Sequence, residues 1–240
     1  AGPSLTAALP ILATFEHKAA LFGCGSAITA LSHAGTTPHF CIAVDPNEEE
    51  FRRLKQSTFF EVPFLYSTRL HPHVFSTVNG PFGYLRSQFG DVLQLWIEEE
   101  LGLKDPLIGH YLSSESISVT SMAVAAAEFL GCNPIVLVGL DMAYTKNQRY
   151  ASSVHVSETP KDVSKKTSLA SDRLLIKKDQ KGKKVYSAVR WVMESSSLSH
   201  YAKLHPQTRF INATEGGIGF KAIPFVPLEK IAEEFIQEYD

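Results

Sequence analysis

The chain has 240 residues, 44% of them hydrophobic, with a formal net charge of −2. That length supports one sizeable core, read as a single domain over residues 1–240, and the near-neutral balance gives no basic excess for nucleic acid or an acidic membrane. No apolar run approaches the ~20 residues that cross a bilayer, and Cys24, Cys41 and Cys132 stand in apolar contexts without paired or metal-ligand spacing, the pattern of reduced thiols in a cytoplasmic protein.

Ala1-Gly2-Pro3-Ser4 opens the chain without Met and reads as the start of a domain excised from a longer protein. It is a tight turn into a helix over Thr6–Phe15, which Pro10 should kink. Glycine lets backbone come close to a ligand, and a helix start favours phosphate. Ala19–Cys24 then reads as a buried strand, Gly25-Ser26 as a turn, and Ala27–Ala34 as a helix stopped by Gly35. Phe40–Val44 is a second buried strand, closed by Asp45-Pro46. Strand, helix, strand at this spacing predicts a parallel βαβ unit. Cys24, Gly25 and Ser26 are candidates to line a pocket. Asp45 stands at a strand tip, where it could hold a ribose hydroxyl or a metal, or simply begin the helix Asn47–Gln56.

Phe59–Tyr66 reads as a further strand. His71-Pro72-His73 has ligand spacing but no third ligand beside it, so no metal site is assigned. Tyr84–Leu103 reads as a helix ending in the acidic run Glu98-Glu99-Glu100.

The most informative stretch is Glu115–Tyr144, ESISVTSMAVAAAEFLGCNPIVLVGLDMAY. Ser116, Ser118, Thr120 and Ser121 stand where hydroxyls cap a helix start. Met122–Leu130 is a helix buried on most sides, and Gly131 suits its left-handed stop. Ile135–Val138 is a strand buried on both faces, and Asp141 follows just past its carboxyl end, where open α/β sheets bind ligands. An ordinary cap and a loop Asp fit the same spacing.

Composition shifts after Tyr144. Thr145–Lys184 is polar and Lys-rich, which predicts a mobile insertion that folds over an anionic ligand, or a solvated excursion without a role. Tyr186–Leu204 reads as a helix with Trp191 on its apolar side, Arg209–Ala213 as a last strand, and Leu228–Tyr239 as an amphipathic helix. Thr214-Glu215-Gly216-Gly217 forms a turn at the last strand's tip, where glycines leave room beneath a ligand.

Three motifs together resemble the MptE-like family: the Ser-rich turn with LGC and IVLVGLDMAYT, the run LFGCGSAITALSHAGTTPHFCIAVDP, and INATEGG. That family includes archaeal 6-hydroxymethylpterin diphosphokinase and the bacterial motility accessory factors (Maf proteins) of flagellin glycosylation, and its fold is similar to that of the bacterial family-42 sialyltransferases. In the family a Gly-x-Gly-Pro-Ser-Leu loop follows a first strand; here its end survives as Gly2-Pro3-Ser4-Leu5. Maf sequences place a His-Ala pair shortly after the Asp-x-Ala-Tyr run; here Tyr150-Ala151 stands there, and His155 follows.

The fold expected is α/β, a mainly parallel, Rossmann-like sheet with helices on both faces, sialyltransferase-like. The function expected is a nucleotide-dependent transferase of the Maf or sialyltransferase kind, taking a nucleotide-linked sugar, with a CMP-sugar favoured. Gly2, Pro3 and Ser4 would approach the nucleotide, with Gly25, Ser26 and Asp45 beside it. Ser118, Thr120 and Ser121 would hold it, and Thr214, Glu215, Gly216 and Gly217 would close the floor. Asp141, Tyr144 and His155 would stand at the reaction centre. Two alternatives remain open. One is a diphosphokinase that uses ATP and Mg²⁺, with Asp45 and Asp141 as oxygen ligands. The other is a non-catalytic nucleotide-binding or scaffold domain of the same fold.

Overall fold

The computed structural model describes residues 1–15, 17–67, 69–86, 92–112, 118–154 and 174–236. Strands β1 (Phe22–Cys24), β2 (Phe40–Ala43), β3 (Phe64–Tyr66) and β4 (Phe82–Tyr84) form one sheet in that order, every neighbour parallel. A second parallel pair joins β5 (Ile135–Leu137) to β8 (Phe210–Asn212). An antiparallel hairpin is made by β6 (Leu174–Lys178) and β7 (Lys184–Ala188).

Parallel strands need crossovers, and helices supply them. α1 is Leu5–Leu12, with Pro10 inside it, followed by one 3-10 turn over Ala13–Phe15. Helix α2 is Ser26–His33 and α3 is Glu48–Leu54. Asn47 caps α3 by accepting from the Glu50 amide, and three glutamates fill its first turn, where the helix dipole favours them. The exposed α4 (Val92–Glu100) is fastened by Glu98. α5 is Val119–Phe129, α6 Val189–Leu204 and α7 Leu228–Ile236.

Strands β2 and β8 bury both faces. On β2, Ile42 packs with α5 while Cys41 and Ala43 face the layer holding Ile28 of α2 and Leu54 of α3. On β8, Phe210 meets Met122 and Leu198, while Ile211 joins Leu5, Leu12 and Ile231. Helices therefore cover both faces, as the all-apolar runs require. Burial pushes the Cys24 and Cys41 thiols up to about 12. No helix of the described residues is long and apolar enough to cross a membrane.

Several boundaries differ from the sequence reading. Phe59 and Phe60 precede β3 rather than belong to it, because the Phe60 carbonyl accepts the amides of Asn79 and Gly80. Tyr84 ends a strand, and the helix expected from it begins at Val92. Tyr186 to Ala188 lie in β7, so α6 starts at Val189. Within the polar segment Thr145–Lys184, residues 174–178 form β6, and the Gln180 amide side chain donates to the Thr214 and Gly216 carbonyls at 2.7 and 3.2 Å.

Candidate functional site

Asp45 follows β2 and Asp141 follows β5, and both line one cavity of about 590 Å³ at the carboxyl ends of the strands. This is the crevice position expected for a ligand in an open α/β sheet.

Asp141 is 1% exposed and organises three loops. Its Oδ1 accepts from the Ser4 amide at 3.2 Å and the Ser4 hydroxyl at 2.5 Å. Its carbonyl accepts the Ile218 amide at 3.0 Å. A Cβ on Gly2 would meet Asp141 Oδ1 at 2.1 Å, and one on Gly216 would meet Oδ2 at 2.5 Å. Glycines are needed at both turns because this carboxylate fills the space. Asp141 Oδ2 and the Thr145 hydroxyl oxygen are buried and have no hydrogen-bond partner among the described residues.

Gly2 and the strand-tip loop Gly139–Ala143 border the cavity on one side, and the Gly2 amide donates to the Gly139 carbonyl at 2.7 Å. Gly25 and Ser26 border it at the start of α2, where the Ala1 nitrogen donates to the Ser26 hydroxyl oxygen at 2.6 Å. Gly25 has φ +50°, and a Cβ there would meet Glu50 Oε1 at 2.9 Å.

The start of α5 supplies Ser118 and Thr120 to the cavity wall. Ser118 and Ser121 form a reciprocal capping box: the Ser121 amide donates to Ser118 Oγ at 3.1 Å and the Ser118 amide to Ser121 Oγ at 2.9 Å. The Ser118 hydroxyl also donates to Glu194 of α6, which lines the same cavity. Burial pushes the Glu194 carboxyl above its ordinary range, although the bonds from Ser118 and Thr120 and the charge of Arg190 pull the other way.

The remaining expected residues sit behind this wall. Pro3 and Ser4 lie in the turn under Asp141. Tyr144 is buried, its ring 5.1 Å from that of Trp191, and its amide donates to the Tyr186 carbonyl. Thr214 is buried and fixes the loop, accepting from the Leu140 amide at 3.0 Å while its own amide donates to Asn212 Oδ1. Gly216 and Gly217 back Asp141 from below, and Glu215 is exposed, 3.8 Å from Lys181. His155 lies outside the described residues. His71 pairs with Glu48 at 3.2 Å, and among the described residues no three His, Cys, Asp or Glu side chains come together as metal ligands.

Sequence reasoning missed the opposite wall. Arg53, Arg149 and Arg190 line the cavity with Tyr150 and Trp191. Arg53 is tied to Glu50 at 2.6 Å, and its guanidinium carbon lies 5.5 Å from the centre of the Tyr150 ring. The signal available was weak: Trp191 looks like a core residue of an amphipathic helix, and Tyr150 a loop aromatic.

A family model described as 6-hydroxymethylpterin diphosphokinase MptE-like matches residues 1–147. The chain belongs to the MptE-like family. Its fold is similar to that of a Maf glycosyltransferase from Magnetospirillum magneticum AMB-1, with a TM-score of 0.64 at 15% sequence identity. The likeness covers 98% of this chain and 35% of that one, so the chain spans about a third of the Maf protein's length. No curated protein sequence matches the chain. The α/β architecture, a parallel sheet under helices, is the one the sequence implied.

Proposed function

We propose that this MptE-like chain is the catalytic domain of a nucleotide-dependent transferase, and within that class a glycosyltransferase using a nucleotide-linked sugar, a CMP-sugar being favoured. The observation that carries the reading is the convergence on one cavity, of about 590 Å³, of the Gly2 turn, the Asp141 strand tip and the α5 start. A cavity of that size is in the range that small-molecule cofactors occupy. The likeness to a Maf glycosyltransferase supports sugar transfer.

In this reading Gly2 and Gly25 present backbone to the donor from the cavity wall, Asp141 and Glu50 filling the space a Cβ would take. Asp141 orients the turn through Ser4, with Oδ2 turned toward Gly216 behind the wall. Glu194 takes the acceptor hydroxyl's proton, since a carboxyl raised by burial is a better base than an ordinary one. Tyr144 supports Trp191 from behind.

The family's own description favours a second reading, diphosphate transfer from ATP to a hydroxymethylpterin. Asp45 and Asp141 share the cavity as that reading asks, but Asp141 Oδ1 is already taken by Ser4, and no three metal-ligating side chains meet among the described residues. With Oδ1 bonded to Ser4 and Oδ2 buried, Asp141 does not fit the Mg²⁺ ligand that reading asks for.

A thermal-shift screen with CMP, CMP-sugars, UDP-sugars, ATP with Mg²⁺, and a pterin tests both. A ligand at 100 times its Kd stabilises by about 2.7 kcal/mol. A CMP-type ligand should give the largest shift without metal. A shift given by ATP with Mg²⁺ alone would favour the diphosphokinase, and no shift from any nucleotide would favour a scaffold domain.

A further inference from the structure

Arg53, Tyr150, Arg149, Trp191 and Arg190 alternate as cation and ring along one wall of the cavity. The guanidinium carbon of Arg149 lies 5.0 Å from the centre of the Tyr150 ring and 5.8 Å from that of Trp191. Rings attract a cation through their faces but are poor acceptors for its N–H groups. Arg149 is thus held in place with hydrogen-bonding capacity unspent. Among the described residues its buried Nε has no hydrogen-bond partner and no carboxylate pairs with it. The carboxylates that share the cavity are engaged elsewhere: Glu50 with Arg53, Glu48 with Arg52 and His71, Asp141 with Ser4, Glu194 with Ser118. Asp45 and Glu49 remain, and Glu49 lies 3.9 Å from Arg53.

A partly buried guanidinium without a counter-charge is costly unless a ligand supplies one. We propose that Arg149 is the oxyanion-binding residue of the cavity, taking the phosphate oxygens of the donor nucleotide while Trp191 and Tyr150 hold it in register. This rests on the nucleotide reading and adds the group that recognises phosphate. A planar guanidinium suits a phosphate in two-point contact, as a lysine does not.

Trp191 makes the site visible. The chain has two tryptophans, so Trp96→Phe leaves Trp191 as the sole emitter beside Arg149. The full chain in that background is titrated with CMP, cytidine and inorganic pyrophosphate, following emission. CMP and pyrophosphate should bind saturably and change Trp191 emission, with CMP the tighter. Arg149→Gln should weaken both by about 10- to 100-fold, the range carried by hydrogen bonds to a charged group, and leave cytidine unchanged. Arg149→Lys should recover only part, and it carries the same test should the Gln variant fail to fold. Equal CMP binding by wild type and Arg149→Gln overturns the assignment and leaves the nucleotide reading standing. If CMP binds no more tightly than pyrophosphate and Arg149→Gln weakens both, the anion site stands and the nucleotide reading falls. No binding of CMP or pyrophosphate by the wild type overturns both.

Discussion

Gly217 reports most directly on how Asp141 holds the site together. A Cβ there would lie 1.6 Å from the Asp141 carbonyl oxygen, and the residue has φ +74°. Gly35 shares that backbone region, with φ +67°, but a Cβ there meets nothing within 4 Å. Gly35→Ala therefore isolates the left-handed penalty, about 1–2 kcal/mol. Gly217→Ala carries the same penalty and must also displace the Asp141 carbonyl, an overpacking cost of about 1–3 kcal/mol. The Ile218 amide bond to that carbonyl would be lost as well, worth about 1 kcal/mol. The two variants should thus differ by about 2–4 kcal/mol. Urea unfolding of wild type and both variants, analysed at a common slope, measures the difference. Equal destabilisation by the two substitutions would refute the claim that Asp141 fills the space beside Gly217.

Glu98 is 2% exposed and accepts from Tyr84 Oη, Arg86 Nε and Gln94 Nε2 at 2.9, 3.0 and 2.9 Å. Glu98→Ala leaves Arg86 with the Asp105 carbonyl but no counter-charge, and should cost about 3–5 kcal/mol in urea unfolding; a loss indistinguishable from zero would mean the network is idle. Burial works against ionisation of Glu98, but the bonds from Gln94, Arg86 and Tyr84 win and hold its carboxyl below the ordinary 4.5. Its stabilisation is therefore present above 4.5 and lost as pH falls through the depressed folded value, and Glu98→Gln should flatten that acid limb. Glu194 has the opposite sign. Burial raises it above the ordinary 4.5, so its favourable state is complete below that value and lost as pH rises through the folded one. Glu194→Gln should melt higher than wild type at mildly alkaline pH, with the gap closing in acid, and should lower transfer activity. A pH-independent gap would show that Glu194 does not titrate in this range.

The parts of the fold that were legible are those where burial on both faces leaves an unbroken apolar run: β1, β2, β5 and β8, with Asp45 and Asp141 past their ends. The misread parts lack that signature. Phe82–Tyr84 is an edge strand of three residues beside glycines, too short to outweigh the helix-like stretch after it. β6 reads as LLIKK, with lysines and an exposed Ile176, so its pairing with β7 is not written in an alternating pattern. At the site, Gly2 and Asp141 could be found because glycine turns and strand tips are local features. The Ser118 and Ser121 hydroxyls fit both a helix cap and a ligand contact by sequence; the capping box and Glu194 engage them in the structure. Trp191 and Glu194 were not legible because α6 meets the cavity far along the sequence and nothing local marks which of its faces does so; Arg149 lies in a loop without a motif, and Tyr150 was marked only by standing where Maf sequences carry a His.

On the reading proposed, this cavity binds a nucleotide through the protein's own groups. Isothermal titration of CMP into the wild type and Asp141→Asn, each with and without EDTA, tests it most directly. CMP should bind saturably at one site, with binding that survives EDTA and persists in Asp141→Asn, and should bind more tightly than ATP with Mg²⁺. Binding of ATP alone, strictly dependent on Mg²⁺ and abolished by Asp141→Asn, would contradict it.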